Sequence, residues 1–191
     1  MQRISLTDSA HHCILEYLRG GGLAIDATIG NGHDTVFLAQ LVGANGHVYG
    51  FDVQVAALVA TTQRLQQQQM QDRVTLYQTS HADMGKHIPV DLMGSIKAIM
   101  FNLGYLPGTD KSIITRPEST LQALSVACGY LSPQGIMTVI AYPGHDGGNL
   151  ETCLVQDWLS LLDPNLYAVE SILSRQHQAA SPRLFVIRKQ T

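Results

Sequence analysis

Carboxylates, amides and hydroxyls gather at three places in this chain, each just after an apolar run. The first is 26–35, DATIGNGHDT, where Asp26 stands four residues before Gly30 and Asp34 and Thr35 follow Gly32. Two glycines let a backbone turn tightly and approach a ligand closely. The pattern departs from the dinucleotide fingerprint G-x-G-x-x-G, because Thr35 stands where the third glycine would be. Carboxylates at Asp26 and Asp34 would also repel a phosphate, so the turn suits a cationic ligand better. The second place is 101–112, FNLGYLPGTDKS, which offers Asn102 and Tyr105. An amide oxygen and a neighbouring carbonyl can accept N–H bonds and orient an attacking nitrogen. The third is 141–148, AYPGHDGG, with Tyr142, His145 and Asp146. A free histidine titrates near neutral pH, so His145 could take a proton from an amine, with a surface loop as the plain alternative.

These residues need strand ends to hold them together. Short apolar runs at 22–29, 46–53, 74–80, 96–103, 135–142, 166–173 and 183–189 read as strands. Helical spacing predicts helices over 34–42, 54–70, 118–130 and 149–162, with a further helix in the segment before residue 20. The histidines His11 and His12 fall in that first helix and carry no role of their own in this reading. Strands alternating with helices argue for a mostly parallel sheet covered on both faces. The last two strands have no helix between them, so one of them runs antiparallel. No linker or repeat divides the chain, which predicts a single domain over 1–191. The expected fold is α/β: a Rossmann-like, seven-stranded, mostly parallel sheet, the layout of class I methyltransferases.

In such sheets ligands bind beyond the carboxyl ends of the strands, where strand order reverses. The first motif lies there, and Asp52, 20 residues past Gly32, ends the second predicted strand. A carboxylate in that place can accept both hydroxyls of a ribose. S-adenosylmethionine carries a sulfonium and an ammonium but no phosphate, and it fits this residue set. His81, after the third strand, falls near the adenine end. A plainer reading of Asp26 and Asp52, as polar residues that merely end strands, is weaker than the combination of two carboxylates and a glycine turn.

The chain has 191 residues, 45% of them apolar and 14% charged, a globular composition. No apolar run approaches the roughly 20 residues of a membrane span. No secretory h-region opens the sequence, so a cytoplasmic, soluble protein is expected. Cys13, Cys128 and Cys153 match neither a disulfide framework nor a zinc pattern and are expected to be small buried residues. No metal is expected. The net charge is −3, which supplies no global attraction for a polyanion. Lys111, Arg116, Arg175 and Arg183 could still form a local basic cluster, or simply a solvated face.

With DATIGNGHDTVFLAQLVG, FNLGYLPGTDKSI and YPGHDGG in order, the chain resembles a family formerly labelled rRNA methylases. Its characterised members are tRNA 5-(aminomethyl)-2-thiouridine methyltransferases. Asn-Leu-Gly-Tyr is similar to the Asn-Pro-Pro-Tyr loop of methyltransferases that act on amino groups. The resemblance spans about Ala10 to Lys189. It implies methyl transfer from S-adenosylmethionine to the aminomethyl group of a tRNA wobble uridine, and it also implies a homodimer. Carried over by position, Asp26, Thr28, Gly30, Asn31, Gly32, Asp34, Thr35, Asp52, Gln54, Ser80, His81 and Asn102 would hold the cofactor. Asn102, Tyr105 and His145 would be catalytic. Gly104, Tyr105, Leu106, Pro107 and Tyr142 would line the amine site beside His145, and Lys111, Arg116 and Arg183 would meet RNA. The stretch 176–184, QHQAASPRL, departs from the family's asparagines and paired prolines. Rival readings are a methyltransferase of rRNA or of a small-molecule amine, and a non-catalytic cofactor-binding subunit.

Overall fold

Apolar strand residues that alternate between two helix layers build this molecule around one sheet. The computed structural model describes residues 5–104, 114–144, 147–173 and 181–190. The chain order is α1 (Leu6–Leu18), β1 (Leu23–Asp26), α2 (His33–Val42), β2 (His47–Asp52), α3 (Val55–Gln67), β3 (Val74–Gln78), α4 (Met84–His87), β4 (Ile96–Asn102), α5 (Pro117–Tyr130), β5 (Leu131–Ala141), α6 (Gly148–Ser160), β6 (Tyr167–Leu173) and β7 (Arg183–Lys189). The sheet order is β3-β2-β1-β4-β5-β7-β6. β7 runs antiparallel to both β5 and β6, and the other pairings are parallel. This is the seven-stranded Rossmann-like layout expected from the alternation of elements.

Each central strand feeds two cores, because successive side chains point to opposite faces. Ile25, Ile99, Phe101, Met137, Val139, Phe185 and Ile187 face the layer with Ala123, Leu124 and Val155 of α5 and α6. Ala24, Ala98, Met100, Ile136, Ile140, Leu184 and Val186 face the layer with α1 and α2, including Ala10, Ile14, Leu18 and Leu38. β1 is short, but three of its four residues are buried, as a central parallel strand requires. α1 uses the stripe Ala10–Ile14–Leu18 to close the sheet face over β4, β5 and β7. Its start is fixed by a capping box: Ser5 Oγ accepts from the Asp8 backbone N–H at 3.0 Å, and the Asp8 carboxylate accepts from the Ser5 N–H at 3.1 Å.

Several boundaries differ from the sequence reading for local reasons. β1 ends at Asp26 rather than residue 29, because the chain leaves the ladder to form the glycine turn. Ala27 and Ile29 still donate N–H bonds to the carbonyls of Met100 and Phe51. β3 ends at Gln78, and Ser80 instead caps a short turn through Ala82 N–H. α3 stops at Gln67, where Gln69 turns left-handed at φ 55°. β5 begins at Leu131: a bulge takes up Ser132 to Gly135, so the register steps from Ile96↔Leu131 to Ala98↔Ile136. The expectation of three buried cysteines is corrected, since Cys153 is exposed on α6 while Cys13 and Cys128 are half-buried. No helix among the described residues is long and apolar enough to cross a membrane.

Candidate active site

Strand order reverses between β1 and β4, and a cavity of about 710 Å³ opens at the carboxyl ends of these strands. Its floor is the turn after β1. Gly30 donates its N–H to Asp52 Oδ2 at 2.9 Å, and Gln54 donates to Asp52 Oδ1 at 2.9 Å. Both bonds fix the Asp52 carboxylate against the wall and leave each oxygen a further lone pair for a ligand hydroxyl. Thr28, Gly30, Asn31, Asp34, Asp52 and Gln54 line the cavity, as do Ser80 and His81 after β3.

Asp26, Gly32 and Thr35 do not line it. Asp26 is fully buried behind the turn, accepting from Thr28 N–H and from the Thr35 hydroxyl. Burial first, and the Asp34 charge second, push its carboxyl up to about 7, against the two hydrogen bonds that hold it down. Gly32 has φ 77°, and a Cβ there would sit 2.4 Å from Thr61 Oγ1 of α3. Its glycine is required by the crossing of α2 and α3, not by close approach of a ligand.

His81 is buried at the cavity wall, and burial lowers its imidazole to about 4 although a bond with the Ala27 backbone raises it. It is therefore neutral at physiological pH. Its Nε2 has no hydrogen-bond partner among the described residues. The ring lines the cavity, while Nε2 itself is covered.

The other half of the cavity surrounds Asn102. Its N–H donates to Thr28 Oγ1 at 2.7 Å, tying the end of β4 to the turn after β1. Its Nδ2 donates to Asp34 Oδ2 at 3.4 Å. Tyr142, from the end of β5, lines the same region. Burial raises its phenol, a bond with Thr7 of α1 lowers it, and the Asp34 charge raises it further. His11 of α1 places Nε2 2.6 Å from Asp34 Oδ1. α1 thus brings Thr7 and His11 to a site that the sequence reading assigned to strand ends alone. Those two polar residues stand one turn apart, beside the buried stripe that begins at Ala10, and that spacing is the signal for them.

The chain on either side of 105–113 is pinned by a carboxylate that also escaped the sequence reading. Glu151 of α6, 2% exposed, accepts from Thr115 Oγ1 at 2.8 Å and from Thr120 Oγ1 at 2.7 Å. Thr115 Oγ1 in turn accepts from Gly104 N–H at 3.0 Å, and Thr115 N–H donates to the Gly104 carbonyl at 2.9 Å. Gly104, Thr115 and Arg116 all line the cavity. Arg183 does not. It donates to Gln156 Oε1 on α6 at 2.7 Å, while its neighbour Pro182 reaches the wall. Tyr105, Leu106, Pro107, Lys111, His145, Asp146 and Arg175 lie outside the described residues.

The cavity wall thus combines carboxylates, an amide and a neutral imidazole at a switch point, and known proteins share its frame. The model of the family described as "Putative rRNA methylase" matches residues 48–188. A structure described as "putative rRNA-methylase from Clostridium thermocellum" superposes with a TM-score of 0.90 at 42% identity, covering 99% of this chain and 98% of that one. A second, described as a "putative methyltransferase from streptococcus mutans in complex with SAH", gives 0.84 at 32% identity, covering 99% of each. In Arabidopsis thaliana, the chloroplastic tRNA (mnm5s2U34)-methyltransferase is 36% identical over 162 residues, 81% of this chain and 58% of that protein. This chain spans less than two thirds of that relative's length. By the extent of the family match and of these alignments, the chain belongs to the family of "Putative rRNA methylase" proteins.

Proposed function

We propose that this protein methylates the aminomethyl group of 5-aminomethyl-2-thiouridine at the tRNA wobble position, with S-adenosylmethionine as methyl donor. The observation that carries this reading is the pairing of two cavity-wall carboxylates, Asp34 and Asp52, with Asn102 at the switch point. Carboxylates suit a cationic, phosphate-free cofactor, and an amide at the end of β4 suits an N–H-bearing nucleophile. The Arabidopsis relative, named for the modified U34 nucleotide of tRNA, supports the choice of substrate. The Streptococcus mutans structure, described with SAH, supports the choice of cofactor.

When bound, the cofactor supplies an electrophilic methyl group on a sulfonium. Asp52, held by Gly30 and Gln54, would accept the ribose hydroxyls. The neutral His81 ring would pack at the adenine end. Thr28, Gly30, Asn31 and Asp34 would hold the methionine end, where a carboxylate attracts an ammonium. Asn102 would accept an N–H of the substrate amine and aim its lone pair at the methyl carbon. Such alignment is a large part of the barrier reduction in a bimolecular displacement. Gly104 and Tyr142 would line the amine site, and Arg116 would meet RNA phosphate at its rim. We assign Tyr105, Leu106, Pro107 and His145 to the same site by family resemblance, together with a homodimer, and Lys111 to the RNA contacts by its charge beside the amine loop.

The test is incubation with methyl-labelled S-adenosylmethionine and tRNA from cells that accumulate 5-aminomethyl-2-thiouridine, followed by digestion to nucleosides. Label is expected in 5-methylaminomethyl-2-thiouridine. Label found instead in ribosomal RNA, or in a free amine at the same rate, would replace this reading with one of its rivals.

A further inference from the structure

Asp34 has two neighbours that fix what it can do. A carboxylate only accepts hydrogen bonds. At 2.6 Å from Oδ1, His11 Nε2 must therefore present its N–H. At 3.4 Å from Oδ2, the amide of Asn102 must present its NH2 group, because the opposite flip would set two oxygens against each other. The Asn102 carbonyl oxygen is thereby turned away from Asp34 and left to a donor in the cavity that Asn102 lines. The remaining freedoms are restrained as well. The His11 ring stacks on Phe37 with centroids 3.8 Å apart and planes 5° from parallel. The Asn102 backbone is tied to Thr28. Asp34 is 6% exposed, so water competes little for its oxygens.

We propose that His11 and Asp34 are positioning residues that set the Asn102 amide with its oxygen facing the substrate, and so select a nucleophile that carries N–H. The inference rests on the amine-site reading above and deepens it. With the amide reversed, its NH2 group would confront the N–H donors of an amine and disfavour them. α1 accordingly takes part in choosing the nucleophile as well as covering the sheet.

A double-mutant cycle tests this. Turnover on the undermodified tRNA is measured for wild type, His11→Ala, Asn102→Ala and the double variant. His11→Ala should lower kcat roughly tenfold or more, since small misplacements of a reacting group are costly. KM for S-adenosylmethionine should change by less than about twofold, because orientation rather than cofactor binding is lost. In the Asn102→Ala background the same substitution should have almost no effect. His11→Gln, which keeps an N–H for Asp34, should recover most of the loss, whereas His11→Glu, which repels Asp34, should not. That second pair decides the matter if His11→Ala fails to fold. A readout without substrate is the side-chain amide signal of Asn102 in 15N NMR, whose exchange with water should quicken in His11→Ala.

Equal losses with and without Asn102, or normal kcat and unchanged exchange in His11→Ala, would overturn the proposal. Normal turnover in Asn102→Ala would overturn the amine site itself. An inactive Asn102→Ala beside a fully active His11→Ala would remove only the role of His11.

Discussion

At the scale of single residues, two buried titratable groups give the site an unusual acid–base signature. Asp26 is raised to about 7 in the fold, chiefly by burial, whereas an unfolded aspartate titrates near about 3.9. The native state therefore holds a proton there that the unfolded state has lost, and stability from this group falls as pH rises from about 4 to about 7. His81 is lowered to about 4 by burial, against about 6.5 unfolded. There the unfolded state holds the extra proton, so stability rises with pH across nearly the same window. The two slopes oppose each other, and wild-type stability should be nearly flat between pH 4.5 and 6.5, as about these bounds follow from the two shifts. Asp26→Asn can keep both bonds, since Thr35 can accept as well as donate. It should unmask a stability that climbs with pH, and His81→Gln one that falls, both read from urea titrations at several pH values. Two flat profiles would show that the opposed linkages are absent. Asp52→Ala tests the wall instead. Losing bonds to a charged acceptor should weaken S-adenosylmethionine binding by about 1.5–3 kcal/mol in calorimetry. Unchanged affinity would take the ribose away from Asp52. Asp52 was legible in the sequence because it ends a strand at a fixed distance past the glycine turn. The support role of Asp26 was not, since strand-end position alone does not tell which carboxylate faces the cavity and which faces the core.

At the scale of elements, the order of the strands and of the longer helices was legible from hydrophobic runs and breakers, down to the extra helix α1 and an antiparallel strand among the last two, whereas the one-turn α4 was not. The edges of elements were less so. Pro133, Gln134 and Gly135 look like a turn before a strand, yet β5 carries them as a bulge that keeps Leu131 paired with Ile96. Gly32 looks like a ligand contact, yet it is where α2 crosses Thr61 of α3. Packing between elements distant in sequence leaves no local pattern to read, and the same holds for His11 with Asp34 and for Glu151 with Thr115. Gly32→Ala should therefore destabilise the fold by about 1–3 kcal/mol, through the Thr61 clash and the strained φ. Thr61→Ala in the same chain should return part of that loss by removing Oγ1 and Cγ2, measured by denaturant unfolding. Full stability in Gly32→Ala alone would mean that the two helices separate at little cost.

At the scale of the whole molecule, a net charge of −3 would leave the proposed RNA binding to local groups. Arg116 is exposed at the start of α5 and lines the cavity, whereas Arg183 is engaged with Gln156. Arg116→Ala should weaken tRNA binding and reduce the slope of log affinity against log salt by about 0.7–0.9, the share of one phosphate contact. Arg183→Ala should change the slope less. The reverse ranking would move the RNA path toward the β7 side of the cavity. The capping box at Ser5 and Asp8 bears on a different property of the whole chain. It secures the turn of α1 that carries Thr7, four residues ahead of His11, while the buried stripe farther along α1 grips the sheet. Ends of helices open far more often than cores do, at a small fraction of the global unfolding free energy. Warming should thus release the first turns of α1, and with them the hold on Asp34, well before the sheet melts. Ser5→Ala, which removes a cap of about 1 kcal/mol, should leave the melting temperature nearly unchanged and lower the temperature of half-maximal turnover. Parallel shifts in both would show that α1 opens only with the rest. If they separate, heat would switch the proposed methyl transfer off reversibly, through partial opening of one surface helix, while the fold stays intact.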